Sequence, residues 1–427
     1  MRPAAPPGIA SKKVANVTVI IRVRPLLPGE AGQPVAHARG QTIALRVNTV
    51  GASATGTGKP VSKEHKYTFA RVHVDEDNVE VYAQSVAPVV MQMRQGRSCA
   101  AFAYGYTGTG KSVSIYGSKQ AGDGNRLGLA ELAAHELLSY VDELGEEYSV
   151  RVSMCEVAGK ECRDLLDNNA PLKIRMAKDG AVHVRKEDGG EFITRKYVRT
   201  LGEFEAILKA GVSSRKVGSS TVHDLSSRSH AIIELEIVTR EMVFLESAVD
   251  TAQDNYAKMA NARDDGLRKR YNDEFAVGGQ AAVEASGLLQ EMEAALGAAH
   301  AEGTAAIEGA REALALYLKE GLPVVRGRLA FIDMAGNDWE QATDSQTKEA
   351  RVEHAAINSS LLAVKECLRA VSTKARVPYR NSVLTHLLQR HFAKDSRMLM
   401  IATLTPSDDD RLVRQSVNTL NYARLVS

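Results

Sequence analysis

Residues 105–112 read Gly-Tyr-Thr-Gly-Thr-Gly-Lys-Ser and follow the apolar run "SCAAFAY" at 98–104. The pattern G-x-x-x-x-G-K-[ST] is met without a mismatch, and it constrains the fold more than any other feature of the chain. Glycines let successive backbone N–H groups turn inward around phosphates, and the N-terminus of a following helix adds a favourable dipole. Such a loop needs a buried strand before it and a helix after it, so the sequence predicts a wound α/β sheet with ligand at its carboxyl edge. Gly105, Tyr106, Thr107, Gly108, Thr109 and Gly110 are the candidate phosphate cradle. Lys111 supplies a point charge to the β- and γ-phosphates, and the Ser112 hydroxyl is a candidate Mg2+ ligand.

Two further motifs belong to the same chemistry. "LAFIDMAG" at 329–336 is an apolar strand that ends in Asp333 and continues to Gly336, the D-x-x-G spacing that brings an acid to the metal shell and a free N–H to the terminal phosphate. "SSRSH" at 226–230 places Ser226, Ser227 and Arg228 just before the strand "HAIIELEIVTR", a segment able to order around Mg2+ and phosphate. No N-K-x-D guanine-reading motif accompanies them, which disfavours a GTP switch.

Mixed strands and helices run through the rest. "VTVIIRVRP" (17–25) reads as a β-branched strand closed by Pro25. Helical spacing marks 81–95, 128–144, 201–216, 357–373 and the closing stretch from 412, while 230–240, 326–336 and 398–406 read as strands. The alternation of "YSVRVSMCEVAG" (148–159) predicts a strand with one wet face. From 241 to 322 the chain is Ala/Glu-rich and offers no strand. Leu245, Val249, Ala252, Tyr256 and Met259, then Leu289, Met292, Leu296 and Ala299, recur at spacings of three and four, with Gly278-Gly279 between the sets. This predicts an inserted helical hairpin or a pair of surface helices. The expected organisation is a flexible tail (1–15), a first part of the domain (16–240), the insertion (241–322) and a second part (323–427).

Lys plus Arg, 54, nearly balance Asp plus Glu, 52, so the net charge of +2 predicts no nucleic-acid partner. The four cysteines form no close C-x-x-C pair, and no apolar run nears the ~20 residues of a membrane span. A cytoplasmic protein with reduced thiols is the expectation.

Taken in order, "IRVRPLLPGE", "FAYGYTGTGKS", "SSRSHAIIELEI", "IDMAGND", "INSSLLAV", "VPYRNSVLTHLL" and "LNYARL" resemble the kinesin motor domain over nearly the whole chain outside 241–322. The resemblance implies a P-loop NTPase fold, a central mixed β-sheet flanked by helices on both faces, and an ATP- and Mg2+-dependent motor that binds microtubules of the cytoskeleton. It implies that Arg22, Arg24 and Pro25 flank the adenine and that residues 105–112 hold the phosphates. Ser227 and Asp333 would stand near Mg2+, Ser226 would relay a proton from the attacking water, and Arg228 would latch onto Asp338 beyond Gly336. Lys374, Arg376 and Arg380, with Arg390, Lys394 and Arg397 downstream, form a candidate patch for acidic tubulin.

Several positions depart from the family pattern. Asp338 stands for the usual Glu, His223 for an Asn of switch I, and Val113 for a His on the adenine. Ala355, Ser359, Val383 and His386 occupy track-facing positions that are commonly basic. These changes leave open a second reading, a non-motile scaffold that binds nucleotide or microtubules, and the insertion is a candidate docking arm for a protein partner.

Overall fold

The computed structural model describes residues 16–27, 30, 36–50, 60–118, 126–176, 182–187, 192–217, 228–285, 287–321, 323–337 and 348–427. The proposed tail, 1–15, lies outside these residues.

An eleven-stranded mixed sheet organises the first of two compact units, residues 1–237 with 326–427. Its spatial order is β12 (Val182–Lys186), β11 (Ala170–Met176), β10 (Glu161–Asp164), β9 (Tyr148–Ala158), β14 (His230–Thr239), β15 (Arg328–Asp333), β6 (Ser98–Tyr104), β16 (Arg397–Leu404), β1 (Val17–Val23) and β5 (Arg71–Val74). A short β13 (Lys196–Val198) pairs with β9 off that path. Strands β2 (Ala36–Arg39), β3 (Thr42–Val50) and β4 (Pro60–Thr68) form a separate antiparallel sheet, and β7 (Gly117–Ser118) pairs with β8 (Arg126–Leu127).

The strands β15, β6, β16, β1 and β5 are mutually parallel, so both their faces must be covered. That is why β6 is apolar throughout: Ala100, Phe102 and Tyr104 enter one core, while Cys99, Ala101 and Ala103 are buried on the opposite face. The first face is closed by α8 (Lys348–Ser372), α9 (Val383–Leu387) and α10 (Asp410–Val426), through Leu361, Val364, Leu368, Leu384 and Leu420. The second carries α2 (Ala87–Arg94), α3 (Lys111–Tyr116), α4 (Leu129–Leu144) and α5 (Leu201–Val217). A one-turn α1 (Asn78–Val81) leads into α2 through a π-helical turn at Tyr82–Val86.

Strand β9 differs from expectation. Its alternation predicts one wet face, yet Arg151 and Glu156 are both buried. Arg151 pairs with Glu236 of β14 at 2.6 Å, and Glu156 accepts from Ser229 Oγ at 2.6 Å, so the polar positions are satisfied by charge and hydrogen bonds rather than water.

Residues 238–325 form the second unit. Within it α6 (Arg240–Ala285) and α7 (Leu288–Glu320) run antiparallel, since Thr239 Oγ1 meets Tyr317 Oη and Tyr256 Oη meets His300 Nδ1, both at 2.5 Å. Gly279, with φ +65°, is non-helical and divides α6 at the Gly278-Gly279 pair, and both cross-helix contacts bracket that position, Thr239 facing Tyr317 and Tyr256 facing His300. Gly303 permits the close approach of the two helices: a Cβ there would lie 2.0 Å from Tyr256 Cδ2.

Candidate nucleotide site

Register sets the site. Asp333 pairs with Ala103, Tyr104 with Ala402, Arg22 with Thr403, and Ala231 lies opposite Asp333. The ends of β6, β15, β16 and β1 and the start of β14 therefore open on one edge of the sheet.

The loop after β6 is held from several sides. A Cβ on Gly105 would sit 2.5 Å from the carbonyl oxygen and hydroxyl of Thr403, so only glycine fits against β16. Gly108 and Gly110 have φ of +84° and +94°, the left-handed region. Thr109 Oγ1 donates to Tyr106 O at 2.8 Å and lies 2.6 Å from Thr403 Oγ1. Arg24 Nε donates to Gly108 O at 2.9 Å, and the Asn337 N–H to Gly105 O at 3.3 Å. Tyr106 is buried, whereas Thr107, Gly108 and Ser112 are exposed. Lys111 is buried, and its ammonium donates to Gly105 O at 3.0 Å and Tyr106 O at 2.9 Å.

Behind the loop lies an ionic network. Ser112 Oγ donates to Asp333 Oδ2 at 2.8 Å, and Arg215 Nη1, from α5, reaches the same oxygen at 2.6 Å. Arg215 also approaches Glu156 at 3.6 Å and donates to Ser229 O at 2.9 Å. Burial opposes the Arg215 charge, but Tyr116, Asp333 and Glu156 outweigh it and hold the guanidinium above its ordinary pKa. Asp333 Oδ1 is buried with no hydrogen-bond partner. A hydroxyl beside a carboxylate with an open oxygen suits a hard divalent cation, so Ser112 and Asp333 fit Mg2+.

The wall toward β1 is built on Arg22. Its Nη1 donates to Asn78 Oδ1 at 2.5 Å and Ser114 Oγ at 2.7 Å, and its Nη2 to Glu76 O at 3.3 Å. Burial, against the pull of Asp77, lowers its pKa to about 10. Arg24 bonds Glu30 through Nη1 at 2.7 Å, and Pro25 is exposed beside it.

The switch residues are reached in part. Gly336 is buried, Arg228 is half-buried, and Ser226, Ser227, Asp338 and His223 lie outside the described residues, so the Arg228–Asp338 latch does too. His230 is buried between the two motifs. The Ala335 N–H donates to its Nδ1 at 3.1 Å, which leaves the proton on Nε2 to donate to Ser360 Oγ at 2.7 Å. Burial first, then Arg215 and Lys111, push its pKa down to about 3.

Lys374, Arg376 and Arg380 are exposed on the segment joining α8 to α9, with Lys374 at φ +57°. Ala355 and Ser359 are exposed, while Val383 and His386 are half-buried. Among the described residues no helix is long and apolar enough to cross a membrane.

Motif reading missed Arg215, Glu156, Asn78 and Thr403. Arg215 carries the one legible signal, a lone Arg near the end of an amphipathic helix. The others become visible only through strand register.

The model of the kinesin motor domain matches residues 22–255 and 301–427. The chain is 27% identical over 419 residues to the kinesin-like protein cut7 of Schizosaccharomyces pombe, covering 96% of itself and 32% of that protein. It is 28% identical over 428 residues to the kinesin-like protein KIN-14E of Oryza sativa subsp. japonica, covering 98% of itself and 30% of that protein. It thus spans about a third of the length of these relatives. Its fold is similar to that of the C-terminal motor and motor homology domain of Kar3Vik1 fused to a synthetic heterodimeric coiled coil, with a TM-score of 0.62, 20% identity, and coverage of 96% of this chain and 85% of that one. The phosphate loop, the acid-ended strand beside it and the family match over most of the chain agree: this protein belongs to the kinesin motor-domain family.

Proposed function

We propose that this chain binds and hydrolyses ATP with Mg2+ and couples loss of the terminal phosphate to its grip on microtubules. The observation that carries this reading is the contact of Ser112 with Asp333 at 2.8 Å behind a complete phosphate loop. Ser112 and Asp333, with Ser227, would hold Mg2+, whose charge neutralises that of the phosphates. Lys111 would leave the Gly105 and Tyr106 carbonyls to meet the β- and γ-phosphates, while the backbone of 105–110 surrounds them. Arg22, Arg24 and Pro25 would line the base. Ser226 would take up the proton of the attacking water, and Gly336, with Arg228 and Asp338, would assemble only around a terminal phosphate. Little covalent chemistry is asked of the side chains; they position and stabilise charge. When those contacts end, α8 is free to shift, altering the surface that carries Lys374, Arg376 and Arg380.

The test is steady-state ATPase with and without microtubules, alongside co-sedimentation in each nucleotide state. Strong stimulation is expected. Microtubule binding that ignores nucleotide, with no turnover, would select the scaffold reading favoured by His223, Asp338 and the changes at the track-facing positions Ala355, Ser359, Val383 and His386.

The unit 238–325 carries fifteen acids against eight bases, a net charge of −7 in a chain of +2. It exposes Phe244, Met259, Phe275 and Val277. An acidic arm is repelled by acidic tubulin, so its role is to dock a protein partner. Replacing 242–321 by a short linker should leave microtubule-stimulated ATPase intact and remove partner binding; unchanged binding of every partner refutes the arm.

A further inference from the structure

Asn78 is the first residue of α1, and its side chain is buried beside the loop. Both its amide N–H groups and its amide oxygen are engaged. Oδ1 accepts from Arg22 Nη1 at 2.5 Å, and Nδ2 donates to Val113 O at 3.1 Å and to Leu127 O at 2.7 Å. A flipped amide would turn its N–H groups on a guanidinium, so the orientation is fixed by the cation. One side chain thereby joins three elements: β1 through Arg22, the helix that follows the phosphate loop through Val113, and β8 through Leu127. Arg22 is held by Asn78, by Ser114 Oγ at 2.7 Å and by the Glu76 carbonyl. The same Ser114 Oγ donates to Gly110 O at 2.8 Å, so the guanidinium is locked against the base of the loop.

The phosphate cradle has separate supports in Arg24, Thr109 with Thr403, and Asn337. We infer that Asn78 is a positioning residue for the base side of the nucleotide, fixing Arg22 against the Val113 end of α3 and so setting affinity for ATP without entering the chemistry. The inference rests on the cleft being an ATP site. A cation in a partly desolvated wall is sensitive to its orienting hydrogen bonds, because bonds to charged groups are the stronger ones.

The experiment is a double-mutant cycle on the full chain with Arg22→Ala, Asn78→Ala and the double variant, reading the Kd for MgATP by direct titration and kcat at saturating ATP. Asn78→Ala should weaken MgATP binding about tenfold with kcat within about twofold, and the double variant should bind no more weakly than Arg22→Ala. Should Asn78→Ala fail to fold, Asn78→Asp takes its place in the cycle. Its carboxylate still accepts from Arg22 but cannot donate to Val113 O or Leu127 O, so Arg22 loses its tie to the end of α3 and MgATP binding should again weaken about tenfold with kcat nearly unchanged. Additive losses in the cycle, or an unchanged Kd in Asn78→Ala or in Asn78→Asp, overturn the inference. A parent chain that binds no MgATP removes the ATP reading itself, a separate and visible failure.

Discussion

Arg215 Nη1 stands 2.6 Å from Asp333 Oδ2, the carboxylate oxygen that also accepts from Ser112 Oγ at 2.8 Å. One oxygen thus joins the helix α5, the strand β15 and the residue that closes the phosphate loop. The pair is almost entirely buried, with side-chain exposures of 4% and 1%.

Removing Arg215 leaves two buried carboxylates, Asp333 and Glu156, without their counter-charge. Breaking a buried pair in this way costs about 3–5 kcal/mol. Arg215→Ala should therefore lower the thermal unfolding midpoint sharply and abolish ATPase. Arg215→Lys keeps the charge but loses the fork that spans Asp333 and Ser229, so it should recover stability more than turnover. Differential scanning calorimetry beside ATPase assays checks both, and an unchanged midpoint in Arg215→Ala would contradict the structural role.

Lys111 gives the opposite pattern. Its ammonium donates to two loop carbonyls, at 3.0 and 2.9 Å, and Gly105 O keeps the Asn337 N–H when it is gone. Losing such hydrogen bonds costs about 1 kcal/mol each, so Lys111→Ala should stay folded. With the phosphate counter-charge removed, turnover should vanish. Turnover retained in a pure sample of that variant would remove the assigned site.

The loop, the acid-ended strand and the order of strands and helices were legible because each is local. An apolar run of strand length with glycines after it needs no partner to be recognised. Glu156 was not legible for the opposite reason. Its alternation with Val157 and Cys155 looks like a wet strand face, and only Ser229 from a distant segment makes it a buried anchor. Asn78 likewise reads as the start of a helix, and its bond to Arg22, 56 residues away, depends on β1 lying against β5. The break in the insertion was legible because it too is local: Gly278-Gly279 is its strongest breaker, and Gly279, at φ +65°, is where the helical backbone of α6 is interrupted.

His230 ties stability to pH. Its pKa is about 3 in the fold against an ordinary 6.5, so between these values the unfolded chain binds a proton that the native chain does not. Stability from this group is complete above about pH 6.5 and falls as the pH drops toward 3, by on the order of 5 kcal/mol in all. Urea midpoints should therefore decline from pH 7 to pH 4. His230→Gln, which keeps a polar group near Ala335 and Ser360 but does not titrate, should start lower and decline less. Parallel slopes in the two proteins would assign the pH dependence elsewhere.

The exposed segment after α8 gives the remaining prediction. Lys374, Arg376 and Arg380 lie within seven residues, all exposed, while the exposed Ala355 and Ser359 of α8 contribute no charge. Attraction to an acidic filament then depends on few cations, and at physiological ionic strength each acts within about 8 Å. Replacing the three with Ala should weaken microtubule co-sedimentation by about tenfold or more and flatten its dependence on salt. Nucleotide binding should persist, since the phosphate loop is held by contacts from β1, β16 and switch II. Basal ATPase should stay unchanged while its stimulation by microtubules is lost. A triple variant that sediments like the parent at every salt concentration would show that this segment is an ordinary solvated face and that the filament meets another part of the chain.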